Sequence, residues 1–387
     1  MTKRPKRCIV TTYSKGAADN PRGAFFCWEK GGRVTPPPLS LILNTERVVR
    51  MSKTVIPQGY VPSAGLGLYE TQKAIDAIKK CFIVKLENAL QLTRVSAPLF
   101  LDPATGLNDD LNSVERPVSF DILETGSTAQ VVHSLAKWKR YALYRYGFQP
   151  GYGLVTDMNA IRRDEEMDNL HSIYVDQWDW EAILPEGRRD AAYLRETVQK
   201  IVGAICDTAD SLKELFPGLP VSLSREISFV TTQELEDLYP EYTPKERENA
   251  YVREHRTAFI MQIGDQLRSG IKHDGRAPDY DDWALNGDIV FWNDILGCAF
   301  EVSSMGIRVD SAAMDSQLSK AGCDERRALP FHRMVLDGTL PLTIGGGIGQ
   351  SRICMLLLGK AHIGEVQVSI WDEQTKAACD AAGVVLL

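Results

Sequence analysis

Beyond residue 70 the chain alternates between two hydrophobic periods. From Thr71 onward, Ile75, Ile78, Cys81, Phe82 and Leu86 fall at helical spacing. This predicted helix runs into LTRVSAPLFLD, a predicted strand whose Pro98 removes a ladder donor and suits an edge or a subunit contact. A strand pair is expected around VSFDI and QVVHS. HSLAKWKRYALYRYG is helical again, with Leu135, Trp138, Ala142 and Tyr146 on one stripe. Lys139 falls on that apolar side, whereas Lys137 and Arg140 point away, and an inward lysine calls for an anion. Residues 190–215 and PKERENAYVREHRTAF predict two more amphipathic helices. LNGDIVFWN and CAFEVSSMGI read as antiparallel strands joined by DILG. LPLTIGGGIGQSRICMLLLG reads as a glycine turn feeding an apolar helix. Hairpin-like pairs separated by irregular helical insertions indicate an α+β protein with an antiparallel sheet.

One strand breaks the pattern. In HSIYVDQWDWE, residues 171 to 181, side-chain alternation puts Ile173, Val175, Gln177 and Asp179 on one face and Tyr174, Asp176, Trp178 and Trp180 on the other. Gln177 and Asp179 therefore stand in line with apolar neighbours. Unpaired buried polar groups cost about 1–3 kcal/mol each, so this face belongs to a polar network or ligand unless it is a solvated edge.

Residues 1–65 show no sustained period and contain TPPPLS. They carry 11 Lys or Arg against Asp19, Glu29 and Glu46, a net of +8, while the whole chain of 387 residues is at −7. The body from residue 66 onward is therefore at −15, a poor match for salt-sensitive nucleic-acid binding. Residues 1–65 are expected to form a loosely ordered basic extension, and residues 66–387 the functional domain. An Arg-rich, acid-poor start also fits a mitochondrial presequence, but its weak amphipathicity favours an untargeted tail, and Met51 is a second candidate start. The eight cysteines are scattered without a CxxC pair or a His cluster, which suits reduced thiols in a cytoplasmic protein. No apolar run is long enough to cross a bilayer.

Candidate chemistry concentrates late in the chain. The GGGIGQSR segment, residues 345 to 352, lets a backbone lie flat against a planar or phosphorylated ligand, and Arg352 in a first helical turn runs against the dipole preference, which suggests an anionic partner. Asp279, Asp281 and Asp282 cluster in APDYDDW. Asp288 and Glu301 lie on facing strands, near Ser303 and Ser304, and hard carboxylates brought together with few cationic neighbours suit Mg²⁺. Arg162 and Arg163 form a fork of donors just before the Gln177 strand, suited to a phosphate. His133, His171 and His273 are read as packing or hydrogen-bonding residues, and no Ser/His/Asp set emerges.

HSLAKWKR, HSIYVDQWDWE, RAPDYDDW, LNGDI, FEVSSMGIRVD and TIGGGIGQSR, in that order, closely resemble the ammonia-dependent asparagine synthetase family, aspartate–ammonia ligases related to class II aminoacyl-tRNA synthetases. The resemblance runs from about Tyr69 to the C-terminus. It implies a six- to eight-stranded antiparallel sheet flanked by helices, in a homodimer. It further implies conversion of L-aspartate, ATP and ammonia to L-asparagine, AMP and pyrophosphate through a β-aspartyl-adenylate, with Mg²⁺. Asp109, Arg162 and Gln177 match its catalytic positions. Ser134, Lys139, Asp179, Asp281, Ser304 and Arg352 match substrate positions. Leu170, Gly346 and Gly347 join Arg162, Asp288, Glu301 and Arg352 at the nucleotide, with Asp288 and Glu301 as metal ligands. Glu301 and Ser304, three apart, face opposite sides of a regular strand, so either a bulge intervenes or Ser303 takes the place of Ser304. The register around Asp109 is open by one residue, because Asn108 and Asp110 flank it.

Two rivals remain. An aspartyl- or asparaginyl-tRNA synthetase needs an anticodon-binding module, for which residues 1–65 are too short and too rich in Pro and Gly. A catalytically inactive relative acting by binding would lack Arg162, Glu301 or Arg352, and all three are present. Glutamine is not expected as donor, since Thr2 and not a cysteine follows the initiator Met.

Overall fold

The helical spacing after Thr71 becomes α1 (Leu68–Leu90), whose Ala74, Ile78, Phe82 and Leu86 are completely buried while Cys81 is half-buried. The structure is a computed structural model and describes residues 53–62, 66–109 and 115–387. The LTRVSAPLFLD segment does not form one strand. It splits into β1 (Leu92–Arg94) and β2 (Phe100–Leu101), which join different sheets. The expected pair appears as β3 (Ser119–Ile122) and β4 (Ser127–Val131), completing a small sheet with β2.

Next come α2 (Ala136–Tyr146), β5 (Gly153–Ile161), β6 (Tyr174–Ile183) and α3 (Ala191–Leu215), the last capped by the Asp190 carboxylate. β7 (Ser228–Thr231), α4 (Thr232–Leu238), α5 (Pro244–His255) and β8 (Thr257–Met261) lead to the long hairpin β9 (Asp281–Asn293) and β10 (Cys298–Arg308). The chain continues through α6 (Ser311–Ala321), α7 (Pro330–Leu336), β11 (Thr343–Gly349), α8 (Gln350–Leu358) and α9 (Glu373–Ala381).

The main sheet has eight strands in the order β1-β5-β6-β11-β10-β9-β8-β7. Its six central strands pair antiparallel, but β1 runs parallel to β5 and β7 parallel to β8. The fold is thus α+β, with a mixed sheet where a purely antiparallel one was expected. The cause is connectivity: α4 and α5 lie between β7 and β8, and a crossover of that length returns the chain in the same direction.

Each face of the sheet has its own helices. Trp178 and Trp180 of β6 enter one core with Phe82 of α1, Ile201 and Ile205 of α3 and Met355 of α8. Leu154 and Met158 of β5 enter the other with Leu135 and Trp138 of α2 and Phe331 of α7. Gln177 and Asp179 point to this second side, as the alternation predicts. Helix α2 corrects one expectation: Lys137 and Arg140 are as buried as Lys139. Lys137 Nζ reaches Asp279 Oδ2 at 3.0 Å, and Arg140 donates to the carbonyls of Pro341 and Val309 at 2.9 and 2.7 Å. Polar residues facing away from the sheet meet the 277–281 and 309–341 segments, not solvent.

Part of the expected extension is among the described residues. Residues 53–62 are seated on the body: Val55 exchanges backbone hydrogen bonds with the Asn169 amide, Thr54 Oγ1 lies 3.1 Å from Thr375 Oγ1, and Tyr60 donates to Glu365. The remainder of the expected extension, residues 1–52 and 63–65, lies outside the described residues.

Phe82 and Trp178 join the helical layer to the sheet, ring centroids 4.6 Å apart. Phe82→Ala is expected to cost about 3–5 kcal/mol, read as a lower denaturation midpoint with an unchanged slope.

Candidate active site

A cavity of about 490 Å³ opens on the α2 side of the sheet, over β6, β11 and β10. Of the residues expected in the site, Ser134, Lys139, Arg162, Leu170, Gln177, Asp179, Asp281, Glu301, Ser304, Gly346, Gly347 and Arg352 all line it. Arg162, Gln177 and Glu301, far apart in sequence, share this one space. Asp109 and Asp288 do not line it. Asp109 is buried, and its charge adds to the effect of burial in raising the pKa of Tyr280, which does line the wall; Asp288 is tied to the cavity through Arg276.

The glycine-rich segment is not a turn. It is strand β11 in the middle of the sheet, and its glycines are required by what faces them. Ser304, Gly347 and Asp179 form one cross-strand row, and Gly306, Gly345 and Glu181 the next. A Cβ on Gly345 would collide with the Glu181 carboxylate, and one on Gly347 with the Gln177 amide. A Cβ on Gly346 would meet Met305 on the opposite face at 2.5 Å. The bare strand makes room for the polar side chains of β6.

Those side chains belong to a buried chain of alternating charge. Lys139 Nζ donates to Asp179 Oδ1, to the Trp180 carbonyl at 2.9 Å and to the Gly346 carbonyl at 3.2 Å. Burial lowers the Lys139 pKa and raises that of Asp179, in each case against the pull of the partner's charge. Arg308 holds Glu181 in a forked pair, Nε to Oε1 at 3.0 Å and Nη2 to Oε2 at 2.7 Å, and its Nη1 binds Asp281. Burial alone would raise the Glu181 pKa, but Arg308 and then Lys139 hold it below its ordinary value. Arg276 continues the line, donating to Asp288 Oδ1 at 2.6 Å and to the Ser304 hydroxyl.

The β9–β10 hairpin contains the bulge that the spacing of Glu301 and Ser304 demands. Glu301 opposes Val290, Ser303 opposes Ile289 and Ser304 opposes Asp288, so Val302 is the extra residue. Ser304 therefore faces the cavity with Glu301, and Ser303 is buried on the other side.

At the cavity mouth Arg352 donates to the Glu301 carbonyl at 3.0 Å and to His171 Nε2 at 2.9 Å. Because a guanidinium has only donors, Nε2 is the acceptor and the ring proton is on Nδ1, which donates to Asp168 at 2.9 Å. Burial would raise the Asp168 pKa, but this bond and the backbone N–H groups of Leu170 and His171 hold it down to about 2. Arg162 stands beside them, 3.8 Å from Glu165.

Of the two roles the sequence allowed His171, packing or hydrogen bonding, it has the second, tied to Arg352 and Asp168. One expectation is corrected here. The carboxylates of APDYDDW are not poor in cationic neighbours: Asp279 meets Lys137, Arg326 and His332 within 3.1 Å, and Asp282 meets Arg189 at 2.6 Å. They are ion-paired within the protein. Sequence reasoning passed over Glu181, Arg276, Tyr280 and Arg308. Glu181 was detectable as the next residue in the row after Gln177 and Asp179. The two arginines carry no periodic signal, because each enters from a loop or a strand end.

A family model described as aspartate-ammonia ligase matches residues 69–383. An aspartate–ammonia ligase of Ruminiclostridium cellulolyticum is 59% identical over 338 residues, 87% of this chain and 100% of that protein. Those of Bacillus cereus and Clostridium tetani are 58% and 56% identical over 82% and 87% of the chain, covering 97% and 98% of those proteins. Among solved structures, asparaginyl-tRNA synthetase of Pyrococcus horikoshii complexed with asparaginyl-adenylate superposes with a TM-score of 0.57 at 13% identity, over 77% of this chain and 68% of that one. Aspartyl-tRNA synthetase of Entamoeba histolytica gives 0.53 at 15%, over 86% and 65%. These two likenesses establish the class II synthetase fold alone. With the matched family model and relatives aligned over nearly their whole length, the chain belongs to the aspartate–ammonia ligase family.

Proposed function

We propose that the cavity makes L-asparagine from L-aspartate, ATP and ammonia, by way of a β-aspartyl-adenylate, with AMP and pyrophosphate released. The observation that carries this reading is one cavity bounded by two differently built cationic ends. Lys139 and Arg308 lie deep in the floor, sized for a small dicarboxylate. Arg162 and Arg352 stand at the mouth, where a polyphosphate can extend toward solvent.

Aspartate lies over β6, its carboxylates facing Lys139 and its ammonium facing Asp179 and Asp281. Ser134 and Ser304 supply hydroxyl contacts, and Gln177 orients the β-carboxylate. ATP lies over β10 and β11, with its base and ribose toward Leu170 and the flat backbone at Gly346 and Gly347. Arg162 binds the α-phosphate, and Arg352 the terminal phosphates. An oxygen of the β-carboxylate attacks the α-phosphorus and pyrophosphate leaves; the protein contributes alignment and charge stabilisation. Ammonia then attacks the acyl carbon and AMP departs. Most ammonia is protonated near neutrality, so a carboxylate must bind ammonium and take its proton. Asp109 fills that role, supported by its burial beside Tyr280 at the cavity wall.

Asp288 and Glu301 suit a magnesium ion. Burial and the Glu301 charge push the Asp288 carboxyl up to about 7, against the pull of Arg276, and a divalent cation there would relieve the repulsion between the two carboxylates. Among the described residues no cluster of three or more His, Cys, Asp or Glu is poised for a metal; phosphate oxygens and water would complete the set around Asp288 and Glu301. The ion would neutralise phosphate charge during adenylation.

A homodimer is supported by the small sheet after Pro98, where Leu99, Phe100, Phe120 and Leu123 are exposed. No described helix is long and apolar enough to cross a membrane, and we assign the reaction to the cytoplasm. The acidic body needs no nucleic acid as partner.

Purified protein given aspartate, ATP, magnesium and ammonium, without tRNA, should form asparagine and AMP in equal amounts, and none when glutamine replaces ammonium. ADP in place of AMP would eliminate the adenylate route. Arg162→Ala should lower aspartate-dependent pyrophosphate exchange into ATP by roughly 10²- to 10³-fold. Asp109→Ala should keep that exchange while losing asparagine output, and equal loss of both would refute its assignment. Asp288 is neutral below pH 7 and ionised above it, so infrared difference spectra should show a protonated carboxyl disappearing as pH rises through about 7. The band should be absent in Asp288→Asn and move to lower pH when magnesium is added.

A further inference from the structure

Segment 53–56 touches the back of the turn that carries the cavity mouth, and nothing in the reaction just described uses it. The turn runs from Asp168 to His171. Its inner side faces the cavity through Leu170 and His171, and His171 fixes Arg352. Its outer side is Asn169, buried, with every amide atom engaged. Oδ1 accepts from Val55 N at 2.8 Å, and Nδ2 donates to the Val55 carbonyl at 3.0 Å and to the Ala361 carbonyl at 2.7 Å. The Asn169 carbonyl accepts from Ile363 N at 2.8 Å. On either side of this clasp, Lys53 bonds Glu166, and Thr54 Oγ1 lies 3.4 Å from His362 Nε2.

We infer that residues 53–56 form a strap that seats the phosphate-binding turn, and that Asn169 is a positioning residue acting through His171 on Arg352. The inference rests on the reading that Arg352 binds the terminal phosphates. The path is short and fully bonded: Val55 backbone, Asn169 amide, the adjoining Asp168–His171 pair, Arg352 guanidinium. Asparagine suits the clasp because its amide offers an acceptor and two donors in one plane, matching the N–H and C=O of an extended residue and one further carbonyl. Leucine, of similar volume, would leave those backbone groups unpaired. The consequence is selective. A turn that drifts by an ångström misplaces Arg352 but leaves Lys139, Asp179 and Arg308 untouched on the sheet.

The test uses full-length protein altered from both sides of the clasp. Val55→Pro removes the N–H that Asn169 accepts and fixes the backbone φ there, and Val55 is 70% exposed, so no core packing is lost; an unchanged denaturation midpoint checks that the fold is kept. Asn169→Ala removes the amide itself. Each should raise the dissociation constant for ATP roughly tenfold, with a smaller loss for AMP, which meets only Leu170 of this turn, and the KM for aspartate unchanged, and the double variant should be no worse than the single ones. Unchanged ATP affinity in Val55→Pro overturns the inference, as does an equal loss for ATP and AMP or additive losses in the double variant. Arg352→Ala separates the two levels. If it loses ATP affinity while Val55→Pro does not, only the strap fails; if it keeps full discrimination of ATP over AMP, the terminal-phosphate reading fails and the strap with it.

Discussion

The buried ion network under the cavity is the constraint from which the rest of the site follows. Asp179, Lys139, Glu181, Arg308, Asp281 and Arg276 alternate in charge across the face of the sheet, each within reach of a partner of opposite sign. Charges this deep persist only when paired and hydrogen-bonded, and removing one partner from such a set leaves an uncompensated ion at a cost of about 3–5 kcal/mol. Hydrophobic residues of similar volume would fold as well or better. The arrangement therefore makes sense as a rigid polar floor for a charged ligand.

Other features exist because that floor must fit. Glu181 and Gln177 occupy the space over β11 that side chains would fill in an ordinary strand, which leaves glycine as the residue that tolerates them. The same bare backbone gives Lys139 a carbonyl acceptor at Gly346. The face behind it is apolar and tightly filled by Trp178, Trp180 and Met305, so the strand cannot retreat from the polar side. Flatness toward ligand and rigidity from behind thus have one cause.

Much of this was legible in the chain. Helical spacing found α1, α3 and α5, the turn DILG found the β9–β10 hairpin, and strict alternation put Gln177 and Asp179 on the cavity side. Parity arithmetic between Glu301 and Ser304 left a bulge or Ser303 as the alternatives, and the hairpin has the bulge, which turns Ser304 to the cavity. What failed did so for tertiary reasons. Three glycines have poor strand propensity, and only the neighbours crowding them reveal why a strand needs them. Lys137 and Arg140 read as solvated because the 277–281 and 309–341 segments that cover them are distant in sequence. The role of His171 depends on Arg352, 181 residues later. The parallel edges come from connections whose path local pattern does not report.

The extra residue at Val302 also sets a phase relation along the hairpin. Below it, odd positions of β10 such as Met305 and Ile307 belong to the oily layer; above it, Glu301 is odd and belongs to the wet one. Losing or gaining one amino acid there would invert one half against the other, driving a carboxylate into hydrocarbon or Met305 into water. Length in this stretch is consequently as strictly constrained as chemistry: substitutions can drift, whereas single-codon insertions and deletions cannot.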